Sequence, residues 1–87
     1  MSKLERFRVV FEEEASEFII SQGPRKRRRL ADICYAIAES PFAEPDYKSN
    51  DSDSRSVCHI LTEGYAVTYW IDAPIKRIVI VEIERAE

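Results

Sequence analysis

His59 is the only histidine in the chain, and histidine is the residue type that changes charge nearest neutral pH, so it can take or give a proton in a reaction. It lies in the run Val57–Leu61, V-C-H-I-L. Alternation along that run puts it on the face opposite Cys58 and Ile60, which is the open face of a sheet if those two are core. The plainer reading is a surface histidine without a chemical task. Lys48 and Arg55 stand before it, in a loop and at the strand start, where cations are well placed to meet phosphate. Arg55 can equally pair with Asp51 or Asp53 in its own turn. Trp70, the only tryptophan, offers a stacking platform for a base or an anchor for a partner, or else packs against the loop Phe42–Tyr47 or a terminal segment. Arg85 alternates with Glu84 and Glu87 near the chain end, as a terminal charge would.

Five of the 13 basic residues are consecutive, Arg25 to Arg29, and 16 residues are acidic, for a net charge of −3. Without that run the balance falls to −8. The surface is therefore expected to carry one positive patch on a negative body. Such a patch attracts phosphates, and Arg25, Arg28 and Arg29 are candidates for contacting them, while the acidic remainder opposes long-range capture of nucleic acid. The other reading of the run is the solvated face of a helix.

The 87 residues, 45% hydrophobic and 33% charged with two glycines, are enough for one domain over residues 1–87 and one modest core. The composition argues against disorder. No apolar run approaches the ~20 residues that cross a bilayer, and residues 1–6, M-S-K-L-E-R, lack a secretory leader's apolar stretch. Cys34 and Cys58 have no metal-ligand spacing and there is only one histidine, so zinc is not expected, and the plain setting is cytoplasmic with both thiols reduced. No repeat, phosphate-binding glycine loop or nucleophile elbow appears.

The elements that must position these side chains follow from periodicity. Arg6 to Phe11, R-F-R-V-V-F, reads as a strand. Glu12, Glu13 and Glu14 suit the start of a helix, with Ala15, Phe18 and Ile19 as its apolar stripe. Gly23-Pro24 ends that helix and opens a second. There Leu30, Ile33, Cys34 and Ile37 fall on one face, and Ser40-Pro41 stops it. Phe42 to Ser54 reads as a loop. Three strands follow, Val57–Leu61, Gly64–Asp72 and Arg77–Ile83, joined by links short enough for an antiparallel meander. The expectation is an α+β protein of order β-α-α-β-β-β, with a four-stranded, mainly antiparallel sheet and a helical hairpin packed on one face. The near-continuous apolar strand Ile78–Val81 implies a surface that something covers.

Several local patterns, in this order and spacing, resemble the toxins of the RelE/ParE superfamily. They are Val9-Val10-Phe11 before an acidic helix with Ala15 and Phe18, and the basic second helix ending at Ser40-Pro41. The turn Asp53-Ser54-Arg55, Gly64-Tyr65 followed by Val67-Thr68-Tyr69, and Ile78-Val79-Ile80-Val81-Glu82-Ile83 complete the set. The resemblance implies the toxin of a type II toxin–antitoxin system, bound by a cognate antitoxin. In its RelE branch it implies an endoribonuclease that enters the ribosome and cuts mRNA without metal or cofactor, inhibiting translation.

Carried over residue by residue, the resemblance is partial. The arginine that follows Gly-Tyr in RelE is Ala66 here, the paired lysines of the preceding strand fall on Val57 and His59, and the C-terminal tyrosine has no counterpart. His59, Arg85 and Arg55 are left as the candidate catalytic residues, with Lys48, Arg25, Arg28, Arg29 and Trp70 as candidates for binding RNA. Two other readings stand beside the nuclease. One is a ParE-like toxin that binds gyrase or another large target without cutting nucleic acid. The other is a degenerate domain that binds only an antitoxin or itself, which the acidic pI of about 5.2 suits better than a search for the ribosome.

Overall fold

A computed structural model describes residues 7–86; the start of the first expected strand, at Arg6, lies outside them, as does Glu87. The order is β1 (Arg8–Phe11), α1 (Glu13–Ile20), α2 (Pro24–Glu39), β2 (Tyr47–Asn50), β3 (Ser56–Thr62), β4 (Tyr65–Asp72), a 3-10 turn (Ala73–Ile75) and β5 (Arg77–Arg85). The strands form one five-stranded sheet in the order β1-β5-β4-β3-β2. The meander β3-β4-β5 is antiparallel as expected, and β1 lies parallel to β5.

The expected four-stranded sheet is thus corrected to five strands, because part of the presumed loop pairs with β3. β2, Y-K-S-N, is exposed at every position and has no apolar period to betray it. It is held by its turn instead. The Asp51 carboxylate accepts hydrogen bonds from the backbone N–H groups of Asp53 and Arg55 and from Arg55 Nε, at 2.8–2.9 Å. That fixes the reversal from which β2 and β3 pair, Tyr47 opposite His59 and Ser49 opposite Val57.

The helices form where the pattern places them. Glu13 and Glu14 occupy the first turn of α1, favourable for the helix dipole, and Pro24 opens α2. Leu30, Ile33, Cys34 and Ile37 are buried together with Ala15 and Ala38. They meet Cys58, Tyr65, Val67, Tyr69, Ile78, Ile80 and Ile83 from one face of the sheet. Burial pushes the Cys34 thiol up to about 12, which leaves it protonated and unreactive. The β3–β4 turn has positive φ at Glu63 and Gly64 (52° and 85°), the two-residue turn whose twist matches a hairpin.

One irregularity in β5 sets the rest of the molecule. Thr68 pairs with Glu82 but Tyr69 pairs with Ile80, so Val81 has no partner on β4. Regular alternation from Ile78 and Ile80 would turn Glu82 into the core. The extra residue reverses the alternation, so Ile83 is buried and Glu82 exposed. The cover expected over this apolar strand is supplied by the chain itself. β5 lies between β1 and β4, and Ile78, Val79 and Ile80 are at most 3% exposed within the chain itself.

Candidate functional site

The face of the sheet turned away from the helices carries a row of side chains across four strands, Tyr47, His59, Thr68 and Glu82, fixed by direct pairing. The His59 ring is held on three sides. Tyr47 stacks on it with centroids 4.3 Å apart and planes 8° from parallel. Ser49 Oγ lies 2.8 Å from Nε2, and Thr68 Oγ1 lies 3.3 Å from Nδ1. Both nitrogens are therefore engaged by hydroxyls, and each hydroxyl can act as donor or acceptor. An imidazole so fixed can pass a proton to or from whatever approaches the Ser49 side.

Along the same face Val57, Trp70 and Val79 make the next row. Val57 and Val79 are buried but stand apart from the main core. The Arg55 guanidinium lies over the Trp70 ring, 4.3 Å from its centroid, a cation–π contact. Its Nε is 2.9 Å from Asp51 Oδ2 and an Nη is 3.9 Å from Asp53. Trp70 thus already has a planar group stacked on it, and its indole N–H is buried without an acceptor among the described residues.

Asp51 makes this hairpin sensitive to acid. Its carboxyl is held below the usual carboxylate range, first by the Arg55 backbone N–H and further by the Arg55 side chain and the Asp53 N–H. A depressed carboxylate contributes stability that is present above its unfolded value, near pH 4, and is lost as pH falls through its folded value. Acidification below about pH 4 is therefore expected to loosen Arg55 from Trp70. Fluorescence of the single tryptophan reads this directly, and Asp51→Asn should show the acid spectrum already at neutral pH.

The eight candidates are not brought together. His59, Arg55 and Trp70 share the open face. Lys48 pairs with Cys58, so it takes the helix side of the sheet, opposite to His59. Arg85 pairs with Tyr65, a core residue, and therefore also stands on the helix side. There it lines a depression with Gln22, Arg25 and Lys26 at the α1–α2 junction. The bulge at Val81 is the physical reason, since uninterrupted alternation along β5 would have put Arg85 on the face of His59.

The basic run occupies the first turns of α2, whose first turn holds no acidic residue and where the helix dipole disfavours positive charge. Arg25, Arg28 and Arg29 line one surface depression with Asp32 and Glu63. Arg29 is the one member of the run held in an ion pair among the described residues, with Glu63 at 2.9 Å. Missed at the level of sequence were Tyr47, Ser49, Thr68 and Glu82. Only the Y-x-S spacing of a strand read as loop could have pointed to the first two.

Among the described residues no cluster of three His, Cys, Asp or Glu side chains could hold a metal ion, and no helix is long and apolar enough to cross a membrane.

An α+β mixed sheet of this order, with an N-terminal helical hairpin on one face, is the architecture of the RelE toxins. The match to solved structures runs the length of the chain. The RelBE2 toxin–antitoxin complex from Mycobacterium tuberculosis is similar with TM-score 0.77 and 16% identity, covering 100% of both chains. The archaeal RelE–RelB complex from Pyrococcus horikoshii gives 0.72 at 15% identity, over 94% of this chain and 97% of that one. A free mutant RelE toxin from E. coli gives 0.69 at 17% identity, over 95% and 86%. No protein-family profile and no curated protein sequence matches the chain.

Proposed function

We propose that this chain is the toxin component of a type II toxin–antitoxin pair, acting in the cytoplasm and restrained by a small cognate antitoxin. The observation that carries the reading is the end-to-end correspondence with the M. tuberculosis RelBE2 complex, which covers 100% of both chains. On this reading residues 1–87 form one toxin domain.

Of the activities open to such a toxin, the site favours binding a target over cutting RNA. Cleavage through a 2′-hydroxyl builds negative charge on phosphorus and needs cations aimed at it. Arg55 is engaged with Asp51 and Asp53, Arg85 and Lys48 stand on the other side of the sheet, and the row through His59 ends in the carboxylate of Glu82. A nucleolytic reading rests on His59 alone as proton-transfer group.

Inducible expression separates the readings. Growth arrest with intact mRNA on translating ribosomes, relieved by co-expressing an antitoxin-like neighbour, is the expected result, and gyrase supercoiling is then the first target to assay. Frame-dependent mRNA cuts that disappear in His59→Ala would establish the endoribonuclease instead. Unaffected growth with a folded product would reduce the chain to a partner-binding domain.

A further inference from the structure

We propose that Ser49 and His59 form a nucleophile–base pair able to accept an acyl group from a small neutral ester. The proposal is independent of the toxin reading. Ser49 Oγ lies 2.8 Å from Nε2 of His59, the separation at which a hydroxyl can hand its proton to an imidazole as it attacks. That transfer requires Nε2 unprotonated and the proton on Nδ1. The group next to Nδ1 is Thr68 Oγ1, at 3.3 Å, a hydroxyl free to accept it. Tyr47, stacked at 4.3 Å, keeps the ring from turning. Glu82 lies directly across from Thr68 on the same face.

The substrate class follows from the surroundings. Glu82 and Glu84 are both exposed and pairing places both on this face, while Arg55 over Trp70 is already paired with Asp51 and Asp53, so a phosphodiester would approach against like charge. Tyr47 and Leu61, each 55% exposed, stand on the same face beside His59 and offer apolar surface to an uncharged acyl or aryl group. In the reaction Ser49 Oγ bonds to the carbonyl carbon while its proton passes to Nε2. The carbon–oxygen bond to the leaving group then breaks, and the departing oxygen takes that proton. Water, deprotonated by His59, later releases the acid and restores Ser49. The face is open, so acyl-enzyme formation is the step to read rather than turnover.

The test is incubation of the folded chain with p-nitrophenyl acetate, followed by nitrophenolate release and peptide mass spectrometry. One acetyl group on Ser49 is expected, absent in Ser49→Ala and slowed about 100-fold or more in His59→Gln and His59→Asn, the usual scale for a lost general base. Thr68→Val should slow acetylation and Thr68→Ser restore it, which marks Thr68 as a positioning residue. Thermal melts establish that each variant is folded. Acetylation confined to amines, or Ser49 labelling unchanged in both folded His59 variants, overturns the proposal. Faster reaction with bis(p-nitrophenyl) phosphate than with the acetate overturns the assignment of a neutral substrate.

Discussion

Leu30→Ala is expected to remove about 2–5 kcal/mol of stability, the largest loss we anticipate from any single truncation on the helices. Leu30 is fully buried and heads the α2 stripe that continues through Ile33, Cys34 and Ile37 onto the sheet. A chain of this size has roughly 4–13 kcal/mol in total, at about 0.05–0.15 kcal/mol per residue. The variant should therefore be close to unfolding at growth temperature. Each kcal/mol removed lowers the melting temperature of so small a protein by about 4–8 °C, so the midpoint seen by far-UV circular dichroism should fall by at least 10 °C or so. Tyr35→Ala, on the same helix but 50% exposed, should change stability by no more than about 0.5 kcal/mol. Equal effects from the two would mean that α2 presents a different face to the sheet.

On the reading of the basic run as a phosphate-binding patch, reversing the charge of Arg25, Arg28 and Arg29 together to glutamate should nearly abolish any binding to single-stranded RNA. The change moves the formal net charge from −3 to −9, six units for three swaps of sign. It also removes the cations that line the α2 depression. Each phosphate left without its cation lowers the slope of log affinity against log salt by about 0.7 for a single strand, so the triple variant should be flatter by about two. Fluorescence anisotropy across a salt series measures both quantities. His59→Ala is the control, because His59 lies on the opposite side of the sheet from the helices and should leave affinity and slope unchanged. An unchanged slope in the triple variant would mean that the run is a solvated helix face.

Much of this architecture was legible because burial imposes a period. The α2 stripe, the alternation of Tyr65, Val67 and Tyr69, and the run from Ile78 to Ile80 all announce the faces they occupy. β2 was not legible, since a strand exposed at all four positions has no apolar pattern and is specified by the Asp51 turn. The site was legible only in part for the same reason. His59 could be assigned to the open face from its own strand, but its partners Ser49 and Tyr47 belong to β2. Arg55 could be read as a phosphate ligand or as a partner for the turn aspartates, and it takes the aspartates while also covering Trp70. Residue types alone do not rank those two uses.

The unpaired residue in β5 gives the strand two parities, one on each side of the bulge at Val81. Pairing Val81 regularly with Thr68, without the bulge, would instead exchange inside and outside for every position from Glu82 onward. Arg85 would then join the face of His59. Glu82 and Glu84 would turn toward the helices, where an unpaired buried carboxylate is far costlier than any apolar side chain. In this sequence the charge layout that would complete a cationic catalytic face and the one that permits a closed core are mutually exclusive, and β5 is spelled for the core.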